Sequence, residues 1–133
     1  MSWDLLVLPV PAEFVSIDDF PDDFTTEPIG SCEEVKATLR GRIPGIEFAE
    51  PTWGRLTGPT WSMELNLGSE ASVDSIMLYV HGTGDAVLQA VIDIADAVSC
   101  RVIDTSRGDF LAKDDPSSWQ AFQTYRDHVI RGD

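Results

Sequence analysis

The sequence predicts a two-layer α+β sandwich, with a mixed or mostly antiparallel sheet of four to six strands and helices packed on one face. Three stretches carry this reading. Over residues 60–67, Trp61, Met63, Leu65 and Leu67 alternate with Thr60, Ser62, Glu64 and Asn66. That period of two puts large apolar side chains on one face of a strand. Over residues 75–81, Ile76, Leu78 and Val80 take one face and Met77, Tyr79 and His81 the other. Both faces are fairly apolar, which places this strand in the middle of a sheet, covered on at least one side. After Gly82-Thr83-Gly84-Asp85, residues Val87, Leu88, Val91, Ile92, Ala95 and Val98 recur at three and four, giving one apolar helical stripe.

The other elements follow in order. Trp3 to Val10 is a short apolar run, a buried first strand that ends at Pro9 or Pro11. Residues 17–28 carry Asp18, Asp19, Asp22, Asp23 and Glu27 around Phe20, Pro21 and Phe24. This is a loop or a ragged helical turn, pinned by its phenylalanines with its carboxylates in water. Ser31 starts a helix, and Ser31 with Glu34 makes a capping-box pattern. Val35, Leu39 and Ile43 form its thin stripe, and Gly41 and Pro44-Gly45 end it. Residues 46–48 extend briefly. Residues 52–56 pair with 61–67 across Thr57-Gly58-Pro59 as a hairpin, which sets Trp53 and Trp61 on nearby strands as a cross-strand aromatic pair. Residues 101–104 form another strand, 106–109 a turn, and Phe110-Leu111 the return. The crossover from 75–81 to 101–104 is long enough to make those strands parallel neighbours, joined right-handedly. Asp114-Asp115-Pro116 opens the last helix, with Pro116 near its first position. Its stripe is Trp119, Phe122, Tyr125 or Arg126, and Val129, and Gly132 closes it. No repeat, low-complexity tract or linker intervenes, so residues 1–133 read as one domain.

A chain of 133 residues buries roughly two thirds of its unfolded surface, enough for a core without staples. No apolar run approaches the ~20 residues of a membrane span. Asp4, and the lack of Lys or Arg before Lys36, argue against a signal or transit peptide, so the cytoplasm is the expected location. Cys32 and Cys100 stand far apart without metal spacing and read as reduced, half-buried thiols. The net charge of −14 excludes generic nucleic-acid binding, because phosphate contacts need Lys and Arg. It also disfavours anionic membranes and favours rapid capture of a basic partner. The charge is uneven: nothing basic precedes Lys36, and no Lys or Arg lies between Arg55 and Arg101.

Motifs for catalysis are thin. His81 abuts Gly82-Thr83-Gly84 and could pair with Asp85 or Asp104 as an acid–base couple. A strand-terminal imidazole with its tip in water is the simpler account. His128, near a helix C-terminus, suits the helix dipole, as Asp85 does at a helix start. Gly82-x-Gly84 before a helix suggests an anion site, but it lacks a third glycine and a lysine, and the acidic field opposes it. Asp18-Asp19 and Asp22-Asp23 lack calcium-loop spacing. There is no Gly-x-Ser-x-Gly, and Cys100 sits at a helix end, where the dipole raises a thiol pKa. The expectation is a protein that is not an enzyme and uses no metal or cofactor. Its contact residues are Asp18, Asp19, Phe20, Asp22, Asp23 and Phe24 of the loop with Asp85, Asp93 and Asp96 of the helix, and Trp53 and Tyr79 are further aromatic anchors. Such a surface suits a basic groove, presenting carboxylates where phosphates would lie.

Several segments carry a family resemblance: Ser2-Trp3-Asp4-Leu5-Leu6-Val7; Pro51-Thr52-Trp53-Gly54; Trp61-Ser62-Met63-Glu64-Leu65-Asn66-Leu67-Gly68; and Ile76-Met77-Leu78-Tyr79-Val80-His81-Gly82 with Gly84-Asp85-Ala86. With them the chain resembles the small, acidic, single-domain bacterial immunity proteins encoded beside polymorphic or secreted antibacterial toxins. The resemblance implies a non-enzymatic inhibitor that binds a cognate toxin; together with the chain's size, its acidic charge and the lack of a catalytic motif, it leads to the expectation that an acidic face occludes the toxin's active site. Immunity proteins share no single fold, and no family motif fixes the contact residues. The alternative is a small enzyme or ligand-binding protein using the His81/Asp85 corner, which requires a deep pocket there. A third reading, a regulatory subunit of a larger assembly, requires an exposed apolar patch.

Overall fold

Period-two runs become strands and three-four runs become helices in the computed structural model of the chain, which describes residues 2–11, 13–111 and 117–131. The elements are β1 (Trp3–Leu8), a 3-10 turn (Ile17–Asp19), β2 (Gly30–Ser31), α1 (Cys32–Arg42), β3 (Glu47–Glu50), β4 (Trp53–Thr57), β5 (Trp61–Asn66) and β6 (Ser72–Val73). Then come β7 (Ile76–Gly82), α2 (Ala86–Ala97), β8 (Arg101–Asp104), β9 (Asp109–Phe110) and α3 (Ser117–Arg131). Among the described residues the main sheet has seven strands in the order β3-β4-β5-β7-β1-β8-β9, and β2 pairs with β6 in a separate ladder. Every neighbouring pair is antiparallel. The expected α+β sandwich stands, with more strands than the four to six foreseen, because the short β3 and β9 add edges.

Two pairings differ from expectation. β7 and β8 run in the same direction but are not neighbours, since β1 lies between them, antiparallel to both. The physical reason is burial. Leu5 and Val7 are wholly enclosed, which a central strand provides, and the α2 crossover is long enough to skip a strand. Trp53 and Trp61 do not pair either. The hairpin register sets Trp53 opposite Asn66 and Thr57 opposite Ser62, leaving Trp61 beyond the end of β4. The two indoles also fall on opposite faces, and Trp53 stacks on Tyr79 instead, at 6.1 Å between ring centroids.

One face of the sheet carries Trp3, Leu5 and Val7 of β1, Ile76, Leu78 and Val80 of β7, and Met63 and Leu65 of β5, all essentially buried. Val35 and Leu39 of α1, Val87, Val91 and Ile94 of α2, and Trp119 of α3 complete that core. Each such side chain contributes about 1.5–3 kcal/mol by leaving water. Ile94, outside the stripe read from the sequence, proves to be central to it. Ser31 caps α1 as expected, its Oγ accepting from Glu34 N at 3.1 Å. The complete capping box forms elsewhere, at the 3-10 turn, where Ser16 Oγ accepts from Asp18 N and the Asp19 carboxylate accepts from Ser16 N at 3.0 Å. In α3 the packed face continues through Arg126, whose guanidinium donates to Gly82 O, while Tyr125 and Val129 face outward. The expected helix start at Asp114-Asp115-Pro116 and stop at Gly132 lie outside the described residues.

Gly82 adopts a positive φ, and a Cβ there would collide with the Thr60 carbonyl oxygen and come within 2.6 Å of Trp61 Cα. Both obstacles are backbone and cannot swing away. Gly68 also has a positive φ but opens onto empty space. We expect Gly82→Ala to destabilise the fold by about 2–3 kcal/mol and Gly68→Ala by about 1 kcal/mol, read from urea unfolding. Equal losses would mean that the close approach to β5 contributes nothing.

Candidate functional site

The acidic loop is held by aromatic contacts. Phe14, Phe20 and Phe24 cluster with centroids 4.6–5.3 Å apart, and Phe20 reaches Phe110 of β9 at 6.2 Å. The Arg101 guanidinium lies 3.7 Å from the Phe110 ring centroid. It also donates to Pro11 O at 3.2 Å and to Phe14 O, tying the loop's first residues to β8. On this anchor Asp18, Asp19, Asp22 and Asp23 are exposed and Phe20 and Phe24 half-buried. The Asp19 carboxylate accepts from Val15 N and Ser16 N, so it shapes the turn. Val15, beside it, is 83% exposed.

The loop and the helix aspartates are not brought together. Phe110 pairs with Ile103, on the face of β8 opposite Val102 and Asp104. α2 packs against the other face, through Val87, Val91 and Ile94. Asp85, Asp93 and Asp96 are exposed on that helical layer. Asp85 is the helix N-cap but makes no side-chain cap bond, and Asp93 accepts from Gln89 at 2.8 Å.

Beside the loop lies the sheet face that the helices leave uncovered. Strand register aligns Trp53, Asn66, Met77, Leu6, Ile103 and Phe110 as one row across β4, β5, β7, β1, β8 and β9. The next row is Glu47, Arg55, Glu64, Tyr79 and Asp4. Sequence reading found Trp53 and Tyr79 but missed Leu6, Met77, Ile103 and Phe110. Their signal is the apolar residue at the outward position of β1 and β7, which gains meaning only once the register is known.

His81 projects from this same face. Its Nε2 lies 3.4 Å from Glu64 Oε1, both side chains being about 40% exposed. It pairs with neither Asp85 nor Asp104. Asp104 is buried and has other partners: it accepts from Trp3 Nε1 at 3.1 Å, from Ser106 N and Oγ at 2.9 and 2.7 Å, and from Ser118 Oγ. Burial pushes its pKa up, but the hydrogen bonds from Ser118, Ser106 and Trp3 outweigh this and hold it below the usual carboxylate value. A cleft of about 570 Å³ opens nearby, lined by Trp3, Asp4, Ser106, Arg107, Phe122 and Tyr125 among others, and neither His81 nor Asp85 lines it. Cys32 is half-buried and Cys100 buried, both free thiols. Burial pushes the Cys100 thiol up to about 11. Among the described residues no group of three His, Cys, Asp or Glu side chains is placed to hold a metal ion. No described helix is long and apolar enough to cross a membrane.

Comparison with known proteins finds no family model, no curated protein and no solved structure that matches this chain.

Asp104 gives a test with a defined sign. Its folded pKa lies below the ordinary 3.8, so its contribution is present above that value and is lost as pH falls through the folded pKa. Asp104→Asn is expected to reduce unfolding free energy by about 1.5–3 kcal/mol at pH 7, as for hydrogen bonds to a charged group. The gap to the parent should narrow below pH 3.8. A gap independent of pH would show that the charge is immaterial. Alkylation with iodoacetamide at pH 8 should modify Cys32 well before Cys100, monitored by peptide mass, and equal rates would contradict the burial of Cys100.

Proposed function

We propose that this chain is a non-catalytic inhibitor of the immunity-protein kind, which binds a cognate antibacterial toxin and occludes a basic active-site groove with its acidic surface. One observation carries the reading. A dense group of carboxylates, Asp18, Asp22 and Asp23, stands exposed on a loop held by three phenylalanines and a guanidinium clamp. Holding these charges in place before binding reduces the ordering penalty at the interface. The long-range field of a −14 chain speeds encounter with a cationic groove. Asp19 supports the arrangement by building the turn. On this reading the aspartates of α2 add to the field and make no contact.

The alternative at the His81/Asp85 corner gains no support from this geometry. The imidazole lies 3.4 Å from Glu64 on the open sheet face, Asp85 stands on the helical layer, and neither His81 nor Asp85 borders the cleft.

The test is co-expression with the toxin encoded beside the gene. Protection of the cells and co-purification are expected. Replacing Asp18, Asp22 and Asp23 together by Asn should slow association about tenfold at low salt, with a smaller effect above ~0.5 M salt as screening removes the field. Failure of the parent protein to protect or to co-purify sinks the proposal.

A further inference from the structure

We infer that the uncovered sheet face, from Trp53 to the phenylalanine loop, is the docking surface, and that its occupant is a protein surface with an apolar centre and a rim of Arg and Lys. This deepens the function proposed above and rests on it.

The outward side of a half-covered antiparallel sheet is ordinarily polar. Here one register row holds Trp53, Met77, Leu6, Ile103 and Phe110, interrupted only by Asn66. The row crosses six strands and so spans about 24 Å at the usual strand spacing. That length suits a standard recognition patch of about 800 Å² per partner. The loop closes over the β8–β9 end, where Ile103 is buried and Phe110 half-buried. Along the rest of the row Leu6 and Met77 are half-buried like Phe110, and Trp53 is exposed and stacked on Tyr79. A rigid aromatic pair at one end and a phenylalanine cluster at the other are the usual form of interface anchors.

Charge decides what covers it. Glu47, Glu64 and Asp4 lie in the adjacent row, and Glu50 follows at the end of β3. Asp18, Asp22 and Asp23 stand at the loop end. Arg55, the cation of that row, sits in register between Glu47 and Glu64. Arg101 is engaged by Phe110 and backbone carbonyls. Lys36, Arg40 and Arg42 belong to α1, in the helical layer. A second copy of this chain would oppose carboxylates to carboxylates, and nucleic acid would be repelled outright. A basic protein surface is the complement. The assignment also separates the candidate residues: the loop set belongs to the interface, whereas Asp85 and Asp93 lie behind the sheet.

The test uses the full chain and the purified toxin encoded beside its gene, with affinity measured by calorimetry at fixed salt. Trp53→Ala is expected to weaken binding at least 30-fold, as for an aromatic hot spot, and Met77→Lys by a similar factor. The double variant Asp85→Asn, Asp93→Asn should stay within threefold of the parent. Should a variant unfold, hydrogen exchange on the unmodified complex replaces it, with new protection expected over β1, β7 and the loop and none over α2. Tight binding that leaves Trp53→Ala, Met77→Lys and the exchange pattern unchanged overturns the docking face while the inhibitor reading stands. A stable dimer of the free chain that buries Trp53 also overturns it. No complex with the toxin at all brings down the function proposed above, and this inference with it.

Discussion

Trp3 is the side chain on which three parts of the molecule meet. Its indole is buried in β1 and packs on Trp119 of α3 with centroids 4.9 Å apart, and its Nε1 donates to Asp104 at the end of β8. Trp119 in turn donates from its own Nε1 to Gly84 O at 2.9 Å, at the turn that leads into α2. One aromatic pair thus fixes the centre of the sheet, the last helix, the β8 turn and the start of α2. A buried carboxylate is tolerable there because it accepts from an indole, a backbone amide and two serine hydroxyls, which replace the hydration it loses. Asp104 is therefore a structural residue: it does not line the neighbouring cleft, and its hydrogen bonds tie together three of the residues that do, Trp3, Ser106 and Ser118.

With the sheet centre fixed, the two faces differ in kind. The helical face is a packed apolar core drawn from all three helices. The open face mixes an apolar row with a charged one and merges into the acidic loop. Those two features lie beside each other because Arg101 and Phe110 secure the loop to β8 and β9. Carboxylates occur on both layers: Glu33 and Glu34 accompany the basic residues of α1, and Asp85, Asp93 and Asp96 lie on α2 or at its start, while Asp4, Glu47 and Glu64 border the apolar row of the open face.

Much of this is legible in the sequence. Trp61, Met63 and Leu65 gave the inward face of β5, Ile76, Leu78 and Val80 that of β7, and Ser31 the start of α1. The loop is recognisable by its aspartates, and its phenylalanines pin it as expected. Phe14 was overlooked because it precedes the charged run, and Ile94 because the stripe was traced one position to the side. The Ser16–Asp19 capping box escaped notice because it introduces a 3-10 turn, with no apolar helical run behind it. That the loop and helix aspartates lie on different layers is not legible for a different reason: composition registers how much charge there is, and says nothing of which layer carries it.

The sequence alone therefore determined the helices and the longer strands, the inward residues of β5 and β7, and the sign of the net charge. These depend on local periodicity and composition, which act over a few residues. Tertiary structure decided that β1 separates β7 from β8, that Trp53 meets Tyr79, and that six side chains from six strands form a single row. Hydrogen bonds between strands are nearly alike in energy whichever strands pair, so local pattern cannot choose among them. The choice falls to the burial of Trp3, Leu5 and Val7 together with their distant partners.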